Sequence, residues 1–367
     1  MIIGIIKELH DGRIPIVPDL VKILTEAGNK VLFEAGSGAS AHFFDAAYTE
    51  AGAKATTRNE VLTTANVLVT IFPPSTEDMA AMQPDTILFS QFQPYFTLDQ
   101  TQEAAKHKLT VVSLDMIPRI TIAQSMDVLS SMASIAGYKA VLMAANHLPR
   151  YFPMLTTAAG SIPPAKVLIL GAGVAGLQAI ATAKRLGSVV EAFDTRAAAK
   201  EEVQSLGAKF VEVEGAKDDK SAGGYAVEQT EEFKQKQQAL IAERASQSDV
   251  IITTAQVRGR KAPILIRKEA VEKMKPGSVI IDLASSTGGN CELSQDNKTI
   301  VHNQITIIGD SDLSAKVPMH ASQLFSKNIQ NLLKVCLKGD VLEIDLSNEI
   351  MKSACVVHKG ELLYGKS

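Results

Sequence analysis

Three glycines, an apolar strand and an acid are the residues best spaced to do chemistry. Residues 166–170 (Lys-Val-Leu-Ile-Leu) run directly into Gly171-Ala-Gly173-Val-Ala-Gly176, and a second apolar run, residues 189–193, ends on Asp194. In this arrangement Gly171 permits a tight turn, Gly173 lets the backbone approach a pyrophosphate, and Gly176 lets the following helix pack closely on the strand. Val174 and Ala175 open that helix, whose N-terminus offers N–H groups and a positive dipole end to phosphates. Asp194 stands 18 residues beyond Gly176, where a carboxylate accepts hydrogen bonds from an adenosine ribose. The same carboxylate repels a 2′-phosphate, so the expectation is NAD(H) bound and NADP(H) refused. A bare Gly-x-Gly-x-x-Gly also occurs as a purely structural turn. Here strand, helix and acid are all in register, which favours the dinucleotide.

A second polar constellation lies in Ile117-Pro-Arg119-Ile-Thr121-Ile-Ala-Gln124-Ser-Met-Asp127-Val-Leu-Ser130. On a continuous helix Gln124, Asp127 and Ser130 share a face, at i, i+3 and i+6, that points back toward Arg119. A guanidinium, an amide and a carboxylate could together hold a nicotinamide carboxamide and its ribose. Two structural readings stand beside this one: Thr121 with Gln124 has capping-box spacing, and Asp127 could simply pair with Arg119.

The elements that must position these groups alternate. Strand candidates at 2–6, 30–34, 67–72, 86–89 and 110–114 are separated by helical patterns such as 17–27 and 98–107, which implies parallel βαβ units. A second series follows at 166–170, 189–193, 209–213, 250–253, 279–282 and 305–309. The expected fold class is therefore α/β, with two Rossmann-like doubly wound parallel-sheet domains joined by long helices and a cleft between them. Residues 121–147 read as one helix leading into the second domain, and residues 321–337 as a helix leading back. The expected domains are 1–130 plus 318–367, and 131–317 for the NAD(H)-binding part. A polar loop, residues 215–226, carries adjacent glycines and Tyr225; it reads either as a solvated surface loop or as a lid over bound cofactor.

The 367-residue chain is 46% hydrophobic with a net charge of −3, which suits a globular protein and gives no basic face for nucleic acid or a membrane surface. Met1 opens onto an apolar run too short for a signal peptide and more like a first strand. No stretch offers about 20 unbroken apolar residues for a bilayer span. Cys291, Cys336 and Cys355 are scattered, as buried thiols in a reducing compartment would be. His10, His42, His107, His147, His302, His320 and His358 lack metal-ligand or triad spacing, so no metal is expected. Asp282 is either a strand-end residue near the cofactor or a turn cap.

The stretch from Pro118 to Ala140 resembles the Arg-Gln-Asp loop of proton-translocating NAD(P)+ transhydrogenases, in their NAD(H)-binding component, the soluble part of the alpha subunit. The likeness continues through residues 171–176, Asp194-Thr195-Arg196, Gly223-Gly-Tyr225, Thr253-Thr254-Ala255, Ile281-Asp282, Gly288-Gly-Asn-Cys291 and Ser322-Gln-Leu-Phe. Alanine and saccharopine dehydrogenases are the wider relatives. The resemblance implies that Arg119, Gln124 and Asp127 sit at the nicotinamide end with Ser130 in support. It adds Thr195, Arg196, Thr254 and Ala255 to the cofactor-binding residues, and puts Tyr225 on a mobile loop. It further implies a homodimer, peripheral on the inner face of the cytoplasmic membrane, docked on a membrane-embedded partner. That partner carries the proton channel and its own NADP(H)-binding domain, and hydride transfer by this Re/Si-specific enzyme needs it.

The departures from the family pattern bear on function. Asp11-Gly-Arg13-Ile-Pro-Ile stands where the family usually has Glu-x-Arg-Val-Ala, and Ile122 replaces a second arginine. Amino-acid dehydrogenases need a lysine and a histidine to polarise a keto acid. The corresponding stretches, 67–74 and 89–95, contain neither. Hydride transfer between two nicotinamides needs close alignment and exclusion of water rather than an acid/base pair. The expected function is NADH reducing NADP+ on a partner, coupled to proton movement. The alternatives are an NAD-dependent amino-acid dehydrogenase or a non-catalytic NAD(H)-binding module.

Overall fold

Runs such as Val-Leu-Ile-Leu and Val-Ile-Ile form strands because branched apolar side chains suit a pleated surface that is buried on both faces. The computed structural model describes residues 1–213, 230–338 and 341–365; Tyr225 and its loop lie outside them. In chain order the strands are β1 (Ile2–Ile5), β2 (Lys30–Glu34), β3 (Lys54–Thr56), β4 (Val67–Val69), β5 (Ile87–Ser90), β6 (Thr110–Ser113), β7 (Leu155–Thr157), β8 (Gly160–Ile162), β9 (Lys166–Leu170) and β10 (Val189–Phe193). They continue as β11 (Lys209–Val211), β12 (Val250–Thr253), β13 (Val279–Asp282), β14 (Lys298–His302), β15 (Ile305–Gly309), β16 (Leu337–Lys338), β17 (Val341–Leu342), β18 (Cys355–His358) and β19 (Glu361–Leu362).

The chain divides into two units, Met1–Met132 with Ala315–Ser367, and Ala133–Ser314. The first holds an eight-stranded sheet of order β19-β18-β6-β5-β4-β1-β2-β3. Its six central strands are parallel, and the β18–β19 hairpin adds antiparallel to β6. The second holds a seven-stranded sheet of order β11-β10-β9-β12-β13-β15-β14, in which, among the described residues, only β14 runs antiparallel. Each sheet starts in its middle, winds outward to one side, then crosses to the other. The switch points fall between β1 and β4 and between β9 and β12, where doubly wound sheets open a crevice at their carboxyl ends. The α/β fold with two Rossmann-like units is as the sequence implied.

Alternation along the strands explains how the second sheet is buried. Val167 and Ile169 of β9, Val250 and Ile252 of β12, and Val279 and Ile281 of β13 face one apolar cluster. Leu168, Leu170, Ile251 and Ile280 face the other, with Phe233, Ile241 and Ala245 of the helix Glu231–Gln247. The first cluster takes Ala136, Ala140, Val141 and Ala144 from the helix Val128–His147, and Ala179, Ile180 and Ala183 from the helix Val174–Arg185.

The helix Val128–His147 corrects two expectations. It does not run unbroken from Thr121. Residues Thr121–Met126 form a 3-10 turn, and Asp127 breaks the run with φ −75° and ψ 93°. The cause is Asp127 itself, whose carboxylate accepts from the Ser130 N–H at 2.9 Å and the Ser130 hydroxyl at 2.6 Å. A side chain that caps a helix start cannot also sit inside a longer helix. By length and composition this 20-residue helix could cross a membrane, which a search for unbroken apolar runs passes over. Its alanines and Val141 lie in the core of the second unit, and a helix that is apolar all round is commonly a buried one.

In the first unit the closing helix Pro318–Cys336, with proline in its first turn, binds the start of the chain. Ser322 Oγ accepts from the Ile14 N–H at 2.9 Å and Ser326 Oγ from Val17 at 3.2 Å. All three cysteines are free and buried, and burial pushes each thiol up to about 12.

Gly137, in the helix Val128–His147, passes so close to the next helix that a Cβ would stand 2.0 Å from the Ala175 carbonyl oxygen. Gly137→Ala is expected to lower unfolding free energy by about 1–3 kcal/mol, the usual cost of overpacking. Chemical denaturation would check it, and unchanged stability would show that the two helices can separate freely.

Candidate functional site

The second unit gathers the glycine turn, Asp194 and the ends of β12 and β13 at its switch point. Gly171 has φ +100°, and a Cβ there would lie 2.5 Å from the Thr254 hydroxyl and 3.3 Å from the Ala255 nitrogen. Gly176 is tighter still, its Cβ position falling 1.9 Å from the Gly171 carbonyl oxygen. Both glycines are therefore demanded by the protein's own packing. Gly173 is different, since a Cβ there would meet nothing within 4 Å. The space in front of Gly173 is open, as a turn that admits a pyrophosphate would leave it.

Gly173 is also the N-cap of the 12-residue helix Val174–Arg185, with no side chain bonded to the helix end and no acid in the first turn. Val174 is exposed and Ala175 half-buried. A helix start without a side-chain cap keeps its N–H groups available for an anion. These residues fit the phosphates of a dinucleotide.

Asp194 ends β10 beside this turn and is firmly held. Oδ2 accepts from the Ala172 N–H at 2.7 Å and from Arg196 Nη2 at 2.8 Å, and Oδ1 accepts from the Arg196 N–H and Nε, both at 2.9 Å. Burial pushes its pKa up, yet the Arg196 guanidinium and the two backbone donors outweigh this and hold the carboxyl below its usual range. Thr195 and Arg196 are half-buried beside it.

Across the switch point, Thr254 donates to the Gly171 carbonyl at 3.0 Å and so ties the end of β12 to the glycine turn. Asp282 is fully buried, and its bonding is that of the turn cap. Oδ1 takes the Thr253 hydroxyl at 3.0 Å and the Ala284 N–H at 2.9 Å, and Oδ2 takes the N–H groups of Asn290 and Cys291, each at 2.9 Å. Asn290 is a residue that sequence reasoning missed. Its amide accepts from the Ala255 N–H at 3.0 Å and donates to the carbonyls of Ala255 at 2.9 Å and Pro263 at 2.8 Å. The signal lay in Gly288-Gly289 after a strand-ending Asp. Their φ values of +102° and +76° bring the chain back so that Asn290 reaches the Asp282 carboxylate.

In the first unit Arg119 and Gln124 are exposed, and Asp127 and Ser130 are half-buried and bonded to each other. Thr121 does not act as a cap, because Ile120 holds that position with no side-chain bond. Buried Ala123 and Met126 anchor the turn, and the Ser125 carbonyl accepts from Asn328 at 2.8 Å and Asn331 at 3.2 Å, both on the helix Pro318–Cys336. Ile122 is 69% exposed.

The same unit has a cavity of about 530 Å³ at its own switch point, lined among others by Glu8, Thr70, Phe72, Gln91 and Gln93. Looking for lysine and histidine in stretches 67–74 and 89–95 alone overlooks Lys7 and His10, which follow β1 and also line it. Glu8 is buried and accepts from the Ile71 N–H at 2.6 Å. Burial raises its pKa to about 7 against that hydrogen bond. Among the described residues no cluster of His, Cys, Asp and Glu could hold a metal ion.

Comparison with known proteins matches residues 4–136 to the family model "Alanine dehydrogenase/PNT, N-terminal domain" and residues 140–365 to "Alanine dehydrogenase/PNT, C-terminal domain". The first of the separate alpha-subunit polypeptides of the NAD(P) transhydrogenase of Rhodospirillum rubrum is 43% identical over 99% of this chain and 98% of its own length. NAD(P) transhydrogenase subunit alpha of Haemophilus influenzae is 41% identical over 98% of this chain and 71% of its own. The crystal structure of a transhydrogenase from Sinorhizobium meliloti superposes with a TM-score of 0.91 at 39% identity, covering 99% of this chain and all of that one.

Glu8 makes a prediction about pH. A carboxyl with its folded pKa above 4.5 binds more protons folded than unfolded, so stability falls as pH rises from 4.5 through about 7. The loss should be on the order of 3 kcal/mol. Glu8→Gln should abolish that part of the decline, as read by denaturant melts at pH 5 and pH 8. Equal declines in both proteins would show that Glu8 titrates normally.

Proposed function

The chain belongs to the alanine dehydrogenase/PNT family, and on that footing we propose that it is the NAD(H)-binding component of a proton-translocating NAD(P)+ transhydrogenase. The observation that carries this reading is the 43% identity to a transhydrogenase alpha subunit along 99% of the chain. The uncapped helix start behind Gly173 gives it a physical basis. Gly171, Gly173, Val174, Ala175 and Gly176 hold the pyrophosphate, with Asp194, Thr195 and Arg196 at the adenosine ribose. Thr254 and Ala255 line the same turn. Asp282 acts at one remove, through Asn290, on the position of Ala255. Arg119, Gln124, Asp127 and Ser130 serve the nicotinamide end, and Tyr225 belongs to a loop that closes on the cofactor.

NADH, when bound, supplies the hydride. The chain's own task is to fix the ring and keep water away, which is where the barrier to a transfer without proton exchange is set. Because the turn takes one dinucleotide and Asp194 opposes a 2′-phosphate, NADP+ comes from a separate domain of a membrane-embedded partner. The working form is a homodimer held by that partner at the cytoplasmic face of the membrane, where hydride transfer is coupled to proton movement.

Mixing the purified chain with a separately expressed NADP(H)-binding partner domain tests this. Hydride exchange between NADH and an NADP+ analogue is expected, and Gln124→Asn should slow it at least tenfold while NADH still binds. No exchange would overturn the reading. Turnover of alanine, or of pyruvate with ammonia, by the chain alone would favour an amino-acid dehydrogenase instead. Exchange unaffected by Gln124→Asn would remove Gln124 from the nicotinamide end.

A further inference from the structure

The Asp194 carboxylate is saturated. A carboxylate offers about four acceptor positions, and Asp194 already receives four N–H groups, two of them from the Arg196 guanidinium. Two of those donors, Ala172 N–H and Arg196 N–H, belong to the backbone of the turn and cannot leave without unfolding it. The other two, Nε and Nη2, sit on a rotatable side chain. A ribose diol that reaches for Asp194 therefore has to displace the guanidinium, because no acceptor position is left over.

Arg196 also changes the charge that a nucleotide meets. A lone Asp194 would present a full negative charge to a 2′-phosphate. Paired with Arg196, the two together are close to neutral, with the guanidinium about a quarter exposed and the carboxylate 8% exposed. A guanidinium presents a planar fork that matches phosphate oxygens as well as it matches a carboxylate. Which nucleotide the site accepts then depends on which of the two anions holds that fork.

We propose that Arg196 is a specificity-determining residue that forms a latent 2′-phosphate site, closed by its ion pair with Asp194. While Asp194 is present the fork stays on the carboxylate, and ribose binding competes with it. When the carboxylate is removed the fork is released to the ribose edge, where it takes the phosphate of NADP(H). This rests on the reading that the second unit binds NAD(H) at the glycine turn.

Binding of NADPH and NADH to the full chain, read by nucleotide fluorescence, tests the inference. Asp194→Ser should bind NADPH at least tenfold more tightly than the unchanged chain, and the gain should shrink between 20 and 300 mM salt. The double variant Asp194→Ser/Arg196→Gln should lose it. Arg196→Gln alone keeps the test open if Asp194→Ser fails to fold. It should bind NADH severalfold more tightly, because the competitor is gone, and should discriminate more strongly against NADPH. No gain in Asp194→Ser, a gain that survives in the double variant, or weaker NADH binding by Arg196→Gln would overturn the inference. Absence of NADH binding by the unchanged chain would instead overturn the functional reading beneath it.

Discussion

Everything in the second unit hangs on one steric constraint, the approach of backbone to backbone around Gly171 and Gly176. A Cβ at Gly176 would overlap the Gly171 carbonyl, and one at Gly137 would overlap the carbonyl of Ala175. The start of the helix Val174–Arg185 is thus wedged between β9 on one side and the helix Val128–His147 on the other. Close contact of this kind costs side-chain volume but fixes orientation, because neither neighbour can shift without a clash. The helix dipole and the N–H groups behind Gly173 consequently point in a direction set by main chain rather than by adaptable side chains. For anion binding this is pre-organisation of the kind a flexible loop cannot supply.

Around that wedge the polar groups form a layered support. Asp282, buried at the end of β13, gathers the backbone of residues 284–291, and Asn290 passes the constraint to Ala255. Thr254 closes the circuit on the Gly171 carbonyl. Each of these acceptors holds its donors at hydrogen-bond distance, the condition under which polar networks rigidify a site instead of weakening it. Asp194 is the exception in kind. Two of its donors are exchangeable, which suits a group whose partners change when a ligand arrives.

Much of this was legible in the chain. The strands of both sheets that line the switch points announce themselves as apolar runs, and the glycine turn with its acid can be read residue by residue. The short edge strands β3, β14, β18 and β19 could not be, since so few residues, several of them half-exposed, carry little periodicity. The helix across 121–147 misled for a specific reason: its composition is helical throughout, but Asp127 can satisfy the Ser130 N–H only from outside the helix. Asn290 stayed hidden because its importance comes from partners 27 and 35 residues away in sequence. Lys7 and His10 escaped because they follow β1, away from the stretches after β4 and β5 where keto-acid groups are expected.

The helix Val128–His147 has a consequence for biosynthesis. Its burial partners in β9, β12 and β13 (residues 167–281) are all made after it. At about 5–20 residues per second, a nascent chain displays a segment with the length and apolar character of a membrane span for on the order of ten seconds before its cover is complete. For that interval the segment's fate is decided by competition between insertion machinery, chaperones and the growing sheet. The nearest shelter is the glycine-turn helix, whose Ala179, Ile180 and Ala183 follow within a few dozen residues. The dinucleotide fold thereby doubles as the device that keeps its own apolar helix out of the bilayer.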